Sequence, residues 1–285
     1  MKNRNYNIGF DGQNKNSQFP EIDLQYSVSK DEVWKNLSGQ LNQPRPEVRR
    51  GSLNPFYKMA IAASLILLLG ISGFMRFYTK MVFTSAGQHL TLCLPDSSVI
   101  ELNAQSAIKF HPYWFGFART VTLDGEAFFK VIHGDKFKVQ SLKGETTVLG
   151  TSFNIYSRDN DYNVTCFTGK VRVVSAEKNE IVLLTPNEQA FINKDGFLRF
   201  VEGVNVKAVK SWRDNMFVFT GSPIFKVLQE IERQYNIKIQ FKADSNLTYT
   251  GNFSRSLSEK EVLDLVCTSL GLKFEARSGN EFLIE

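Results

Sequence analysis

Between Met59 and Met75 the chain reads MAIAASLILLLGISGFM, 17 residues without a charge. At about 1.5 Å of rise per residue, that is close to the minimum for crossing a bilayer. The aromatic flanks Phe56, Tyr57, Phe77 and Tyr78 lengthen it, and Lys58 and Arg76 can snorkel to the headgroups. A transmembrane helix over 56–78 is expected. A cleaved signal peptide fits poorly, because more than fifty residues precede the run. Arg45, Arg49, Arg50 and Lys58 lie just before it, against Arg76 and Lys80 just after, which places the N-terminus in the cytoplasm.

Ahead of that run, residues 1–27 are rich in Asn, Gln, Lys and Asp and predict a flexible tail. A helix signal follows over about 29–41. Ser29 fits an N-cap, Glu32 the reciprocal position of a capping box, and Val28 with Val33 a hydrophobic staple. Val33, Trp34, Leu37 and Leu41 then share one face. Such a short helix is not stable alone in water. Its apolar face is expected either on the inner leaflet or a small oligomer contact, or in the groove of a cytoplasmic partner. Pro44 and Pro46 open a linker, so the tail is read as 1–55.

From about 85 to 200 the pattern turns to period-two alternation with turn signals every eight to twelve residues, which predicts an all-β domain of two packed sheets. Thr120–Leu123 runs into an expected turn at Asp124-Gly125, and a second strand covers Ala127–Val131. Phe137 and Val139, Val148-Leu149, Phe153–Ile155, Val164–Cys166 and Val171–Val173 continue the series, punctuated by Gly134-Asp135, Gly150 and Gly169.

Residues 210–285 change class again. A strand at Met216–Phe219 leads to Ser222 as N-cap and Pro223 at the first helical position. Val227, Leu228, Ile231 and Tyr235 make a helix face, and Ile237–Phe241 and Tyr249–Phe253 read as strands. Ser258 and Glu261 form a second capping box, Val262, Leu263, Val266 and Leu270 the buried side, and Gly271 the stop. Lys273–Ala276 and Phe282–Ile284 close a small α+β domain, read as βαββαβ.

Composition adds little to this picture. With 42% hydrophobic and 22% charged residues the chain has the balance of a folded protein. Its net charge of +5 is scattered rather than blocked, which argues against direct nucleic-acid binding. Cys93, Cys166 and Cys267 are far apart and read as buried thiols, with a Cys93–Cys166 disulfide open if the domain is exported. His89, His111 and His133 belong to no metal or triad pattern, and no P-loop, GxSxG, HExxH or dinucleotide fingerprint is present. Glu126, after the expected turn, reads as a solvated structural carboxylate. No conventional enzyme and no cofactor are expected.

Several segments taken together resemble one family: Leu94-Pro95-Asp96-Ser97-Ser98-Val99-Ile100-Glu101-Leu102-Asn103-Ala104, Gly125–Val131, Val148–Asn154 and Thr168–Val171, with the terminal α+β unit. The chain resembles the FecR-type transmembrane regulators of extracytoplasmic-function sigma factors, in the form common in Bacteroidetes. Ser97 departs from the glycine usual there, which costs turn flexibility. The resemblance implies a FecR domain at 85–200 and a terminal domain similar to the STN domain of secretins and TonB-dependent transducers. It implies a bacterial inner-membrane protein with a cytoplasmic N-terminus and a periplasmic C-terminus. The tail would bind an extracytoplasmic-function sigma factor through Val33, Trp34, Leu37 and Leu41, and the periplasmic part would meet an outer-membrane TonB-dependent transducer. Some relatives cleave themselves at a Gly-Thr bond, for which Gly150-Thr151 is the matching pair.

Three functions follow as expectations. The first is an anti-sigma regulator relaying a transducer signal to a sigma factor. The second is a membrane-anchored periplasmic module binding carbohydrate or envelope polymer, with the tail as anchor. The third is a protein whose main chemistry is its own cleavage.

Overall fold

The structure, a computed structural model, describes residues 28–41, 54–159, 161–193, 195–243, 246–277 and 279–285. The expected flexible tail, the Pro44–Pro46 linker and Arg45, Arg49 and Arg50 lie outside these residues. Contacts divide the chain into two units, Met1–Ala60 and Ile61–Glu285.

In the first unit, α1 (Lys30–Leu41) starts at its expected cap, with Ser29 Oγ accepting the Glu32 N–H at 3.3 Å. Helix α2 (Pro55–Phe77), whose residues from Ile61 onward belong to the second unit, begins with Asn54 Oδ1 accepting the Phe56 N–H and Pro55 in the first turn, where its missing donor costs nothing. Its 23 residues include none that is buried, and it is long and apolar enough to cross a membrane.

Thirteen strands follow: β1 (Lys80–Phe83), β2 (Leu90–Cys93), β3 (Val99–Leu102), β4 (Ala107–Phe110), β5 (Arg119–Lys130), β6 (Phe137–Gln140), β7 (Gly144–Val148), β8 (Ser152–Arg158), β9 (Asp161–Thr168), β10 (Val171–Ser175), β11 (Ile181–Leu184), β12 (Gln189–Ile192) and β13 (Leu198–Val201). Strand pairing therefore starts at Lys80, ahead of the boundary expected near 85. One face runs β1-β4-β5-β6-β7-β10-β11 and the other β2-β3-β5-β8-β9-β12-β13. Both faces feed one apolar core, in which Phe129 stacks on Phe153 at 4.8 Å and meets Phe137 at 6.3 Å.

Strand β5 belongs to both faces, and this corrects the expected hairpin at Asp124-Gly125. Residues 121–124 pair with β4 and 125–130 with β8 in one continuous strand. Gly125 takes φ 105° at the crossing, where a Cβ would come within 2.6–2.7 Å of Ser106. An Asp-Gly pair signals a turn locally, but neighbours on both sides hold it extended.

The reading of the cysteines changes, and that of Ser97 does not. Cys93 is exposed, since its strand turns Leu92 toward the core; Cys166 and Cys267 are buried, and all three are free, so no disulfide joins Cys93 to Cys166. Ser97 holds φ 65°, a left-handed conformation that glycine would adopt without strain.

After α3 (Val206–Val209) and a 3-10 turn at Ser211–Asp214 come β14 (Met216–Pro223), α4 (Ile224–Tyr235), β15 (Lys238–Phe241), β16 (Thr248–Ser254), α5 (Glu259–Leu270), β17 (Phe274–Ala276) and β18 (Glu281–Ile284). The order is βαββαββ, not βαββαβ: β17 and β18 are separate antiparallel strands, and β18 lies between β17 and β15. Ser222 is not a helix cap. It and Pro223 still pair with Tyr249 and Thr248, so the helix starts one residue later at Ile224. The capping box of α5 is complete, with Ser258 and Glu261 each accepting the other's backbone N–H. A second core of α4, α5 and their strands holds Val227, Leu228, Ile231, Val262, Leu263 and Val266.

Candidate functional site

Helix α1 presents the four residues expected on one face, all exposed: Val33 by 43%, Trp34 by 69%, Leu37 by 46% and Leu41 by 77%. Twelve residues without a buried side chain supply no tertiary packing, which is where most helical stability in proteins comes from. The face is an unmet apolar surface of the kind that pairs with a groove.

The second unit carries a polar junction that the sequence reading did not find. It forms where the outer surface of the β2-to-β13 face meets α4 and the segment before β14. Cross-strand register sets out two rows on that surface. One is Glu101, Phe128, Asn154, Thr165 and Gln189; the other contains Glu126, Tyr156 and Asn163. Arg213 reaches over the first row, bonding both carboxylate oxygens of Glu101 at 2.5 and 2.7 Å with its guanidinium 3.9 Å from the Phe128 ring centre.

Glu126 lies at the centre of the junction, and the expected solvated carboxylate is buried instead. It is 8% exposed and accepts from Asn103 Nδ2 at 2.8 Å and Asn154 Nδ2 at 2.9 Å. Burial pushes its pKa up to about 7; nearby Glu230 adds to the rise, while Arg158 and the two amides oppose it. From α4, Gln234 donates to Asn103 Oδ1 at 2.7 Å, and its Oε1 lies 3.0 Å from His89 Nε2. Burial lowers the His89 pKa, and Arg255 lowers it further. Gln234 is itself 4% exposed, one helical turn beyond Ile231 on the buried side of α4. A polar residue at an apolar helical position was the one signal the sequence offered; the partners lie more than a hundred residues away.

Gly150 lies in a bend and Thr151 in the connection that leads directly into β8. The Thr151 side chain is buried and its hydroxyl donates to the Lys170 carbonyl at 3.1 Å. Gly150 lies against His133, so closely that a Cβ would stand 2.9 Å from Nδ1. Of the other histidines, His111 bonds the Tyr78 carbonyl through Nδ1. No group of His, Cys, Asp or Glu able to hold a metal occurs among the described residues.

Comparison with curated proteins finds none that matches. Two crystal structures of a candidate anti-sigma factor from Parabacteroides distasonis ATCC 8503, at 2.50 and 1.65 Å resolution, are similar to this chain. Each is 27% identical with a TM-score of 0.67; the alignments cover 73% and 72% of this chain and 98% of each structure. The family model described as FecR protein matches residues 80–172, and that described as FecR, C-terminal, matches residues 216–284. These two segments take in the β5 crossing, Glu126 and both partners of the Gln234–Asn103 bond, and together they exceed half of the chain. The chain belongs to the FecR family.

Proposed function

We propose that this protein is an anti-sigma regulator that spans the bacterial inner membrane once. In this reading α1 holds an extracytoplasmic-function sigma factor in the cytoplasm. The parts after α2 stand in the periplasm and receive a signal from an outer-membrane TonB-dependent transducer, through a terminal module acting like an STN domain. The observation that carries it is the sequence of parts: an unpartnered apolar helix face, then a helix of membrane length, then folded modules of the FecR family. The candidate anti-sigma factor of Parabacteroides distasonis supports the same class.

The test is affinity purification of the tagged full-length protein from its native membranes, with mass spectrometry of what it retains. The wild type should hold a sigma factor, and Trp34→Ala with Leu37→Ala should lose it, since truncating a buried aromatic contact costs about 2 kcal/mol or more. Retention by the double variant would place the contact elsewhere. Loss of any sigma factor from the wild type, with an envelope polymer retained, would reduce the tail to an anchor.

Self-cleavage at Gly150-Thr151 is a subordinate part of the reading. A threonine hydroxyl and a glycyl carbonyl are neighbours in the chain there, and the His133 side chain from the connection after β5 packs against Gly150. In such a step the hydroxyl oxygen takes the acyl group from the amide nitrogen, which leaves as an amine, and water then hydrolyses the ester. The wild type should run as two fragments on a gel and Thr151→Ala as one. Two fragments from both proteins would remove this step.

A further inference from the structure

The C-terminal end of α2 is met by the loop 111–118, between β4 and β5. The Tyr113 ring lies 5.4 Å from that of Tyr78 and 6.3 Å from that of Phe74, and the Arg76 guanidinium is 5.3 Å from the Trp114 ring centre. The loop is fixed from two sides. His111 Nδ1 donates to the Tyr78 carbonyl at 3.0 Å, and buried Phe115 packs edge-on against Phe110 and Phe137 in the β core. Two of its rings face outward: Phe117, 4.7 Å from Trp114, is 80% exposed, and Tyr113 is 52% exposed.

These contacts set a depth. Phe74 belongs to the charge-free run 59–75, so Tyr113 stands beside the last turn of that run rather than beyond it. The 17 residues of the run rise about 26 Å, a few ångströms short of the roughly 30 Å hydrocarbon core of a bilayer. Groups at its ends must complete the crossing. At this end they are Arg76, Phe77, Tyr78 and the loop packed on them. Tyrosine and tryptophan favour that depth, because an apolar ring enters the lipid while the O–H or N–H stays wet. An arginine among them can keep its guanidinium at the headgroups.

We propose that the loop 111–118 is a membrane-docking surface. Tyr113, Trp114 and Phe117 enter the headgroup region of the bilayer that α2 crosses, and so hold the β module against the lipid. The occupant is lipid because the exposed rings are continuous with a helix end that the bilayer itself surrounds. A contiguous exposed aromatic patch marks an interaction surface, and this one needs no further partner to cover it. The inference rests on the proposed span of α2, and not on sigma-factor binding or self-cleavage.

The test uses the full-length protein in vesicles of phosphatidylethanolamine and phosphatidylglycerol. Nitroxide labels are attached one at a time through Leu67→Cys, Phe117→Cys and Leu142→Cys in a Cys93→Ser background, since Cys166 and Cys267 are buried. Leu142, 81% exposed, matches Phe117 in exposure. It lies in the turn after β6, and β6 runs parallel to β5 away from the loop. Collisions with oxygen, which concentrates in lipid, and with a water-soluble nickel chelate report depth. The Leu67 label should meet oxygen and not nickel, which tests the span by itself. The Leu142 label should meet nickel freely. The Phe117 label should lose most of those nickel collisions and keep its access to oxygen. A second readout keeps the native loop. In Trp34→Phe protein, lipids brominated near the headgroup end of their chains should quench the emission, and adding Trp114→Phe should remove that quenching. If the Leu67 label lies in lipid but the Phe117 label behaves like that at Leu142, or Trp114→Phe leaves the quenching unchanged, the inference is overturned and the span stands. Shielding of the Phe117 label from both probes would mean a protein neighbour there and overturns it too. Nickel access at Leu67 removes the span and the inference together.

Discussion

Gly125→Ala is expected to cost about 4 kcal/mol, a large part of the roughly 5–15 kcal/mol that holds a typical domain folded. Two effects add. At φ 105° a side chain is strained, and the new Cβ would meet Ser106 Cα, Cβ and Oγ at 2.6–2.7 Å. Ser106 has little room to yield. It is buried, its N–H donates to Thr84 Oγ1 at 3.0 Å, and its Oγ accepts the Glu126 N–H at 3.0 Å. Gly221→Ala is the control, because Gly221 also has positive φ, at 57°, but open space around it. Its loss should stay near 1 kcal/mol. Urea midpoints of the two variants compare the effects directly, and equal shifts would mean that the close approach at Ser106 contributes nothing.

The second large effect is a pH dependence centred on Glu126. Its carboxyl is held up to about 7, against an ordinary 4.5, because burial opposes the charged form. The folded protein then binds this proton more tightly than the unfolded chain does. Stability from this group is fully present below about pH 4.5 and is lost as pH rises through 7, a swing of about 3 kcal/mol. His89 works in the opposite sense. Its lowered pKa supplies stability above its ordinary 6.5 that is lost as pH falls through the depressed value. A wild-type profile mixes both, so the informative quantity is its difference from Glu126→Gln, which keeps His89. The wild type should gain stability relative to the variant between pH 7.5 and 5. Parallel profiles would show that the Glu126 carboxyl is not buried in solution.

Much of the fold was legible where local pattern and tertiary packing agree. The faces Val227, Leu228, Ile231 and Val262, Leu263, Val266 repeat at helical spacing and are buried as read. The capping box at Ser258 needs only residues three apart. Phe137 and Val139 alternate with polar neighbours and enter the core together. The misreadings share a different cause. Asp124-Gly125 is turn-like by itself and becomes strand only through partners on β4 and β8. Ser222 has the chemistry of a cap, but its pairing with Tyr249 keeps it in a strand.

The polar junction was illegible for the same reason in stronger form. Glu126 is buried by Asn103 and Asn154, 23 and 28 residues away, and Asn103 is held by Gln234 at a separation of 131. No window of sequence contains such a cluster. Position along the chain also hid Trp212, whose ring meets His89 edge-on from a short connection before β14 that carries no periodic signal.

Strand β5 has one more consequence, for where the molecule can move. It is flanked on both sides in each face, by β4 and β6 in one and by β3 and β8 in the other. Neither face can slide without displacing the strand that the other also pairs with, so the two form one cooperative body. A change passing through this module must therefore travel as a displacement of the whole, by hinge or shear at its borders. The polar junction with α4 is such a border. Its direct hydrogen bonds can exchange for bonds to water at little cost, whereas the stacked phenylalanines inside have no substitute partners.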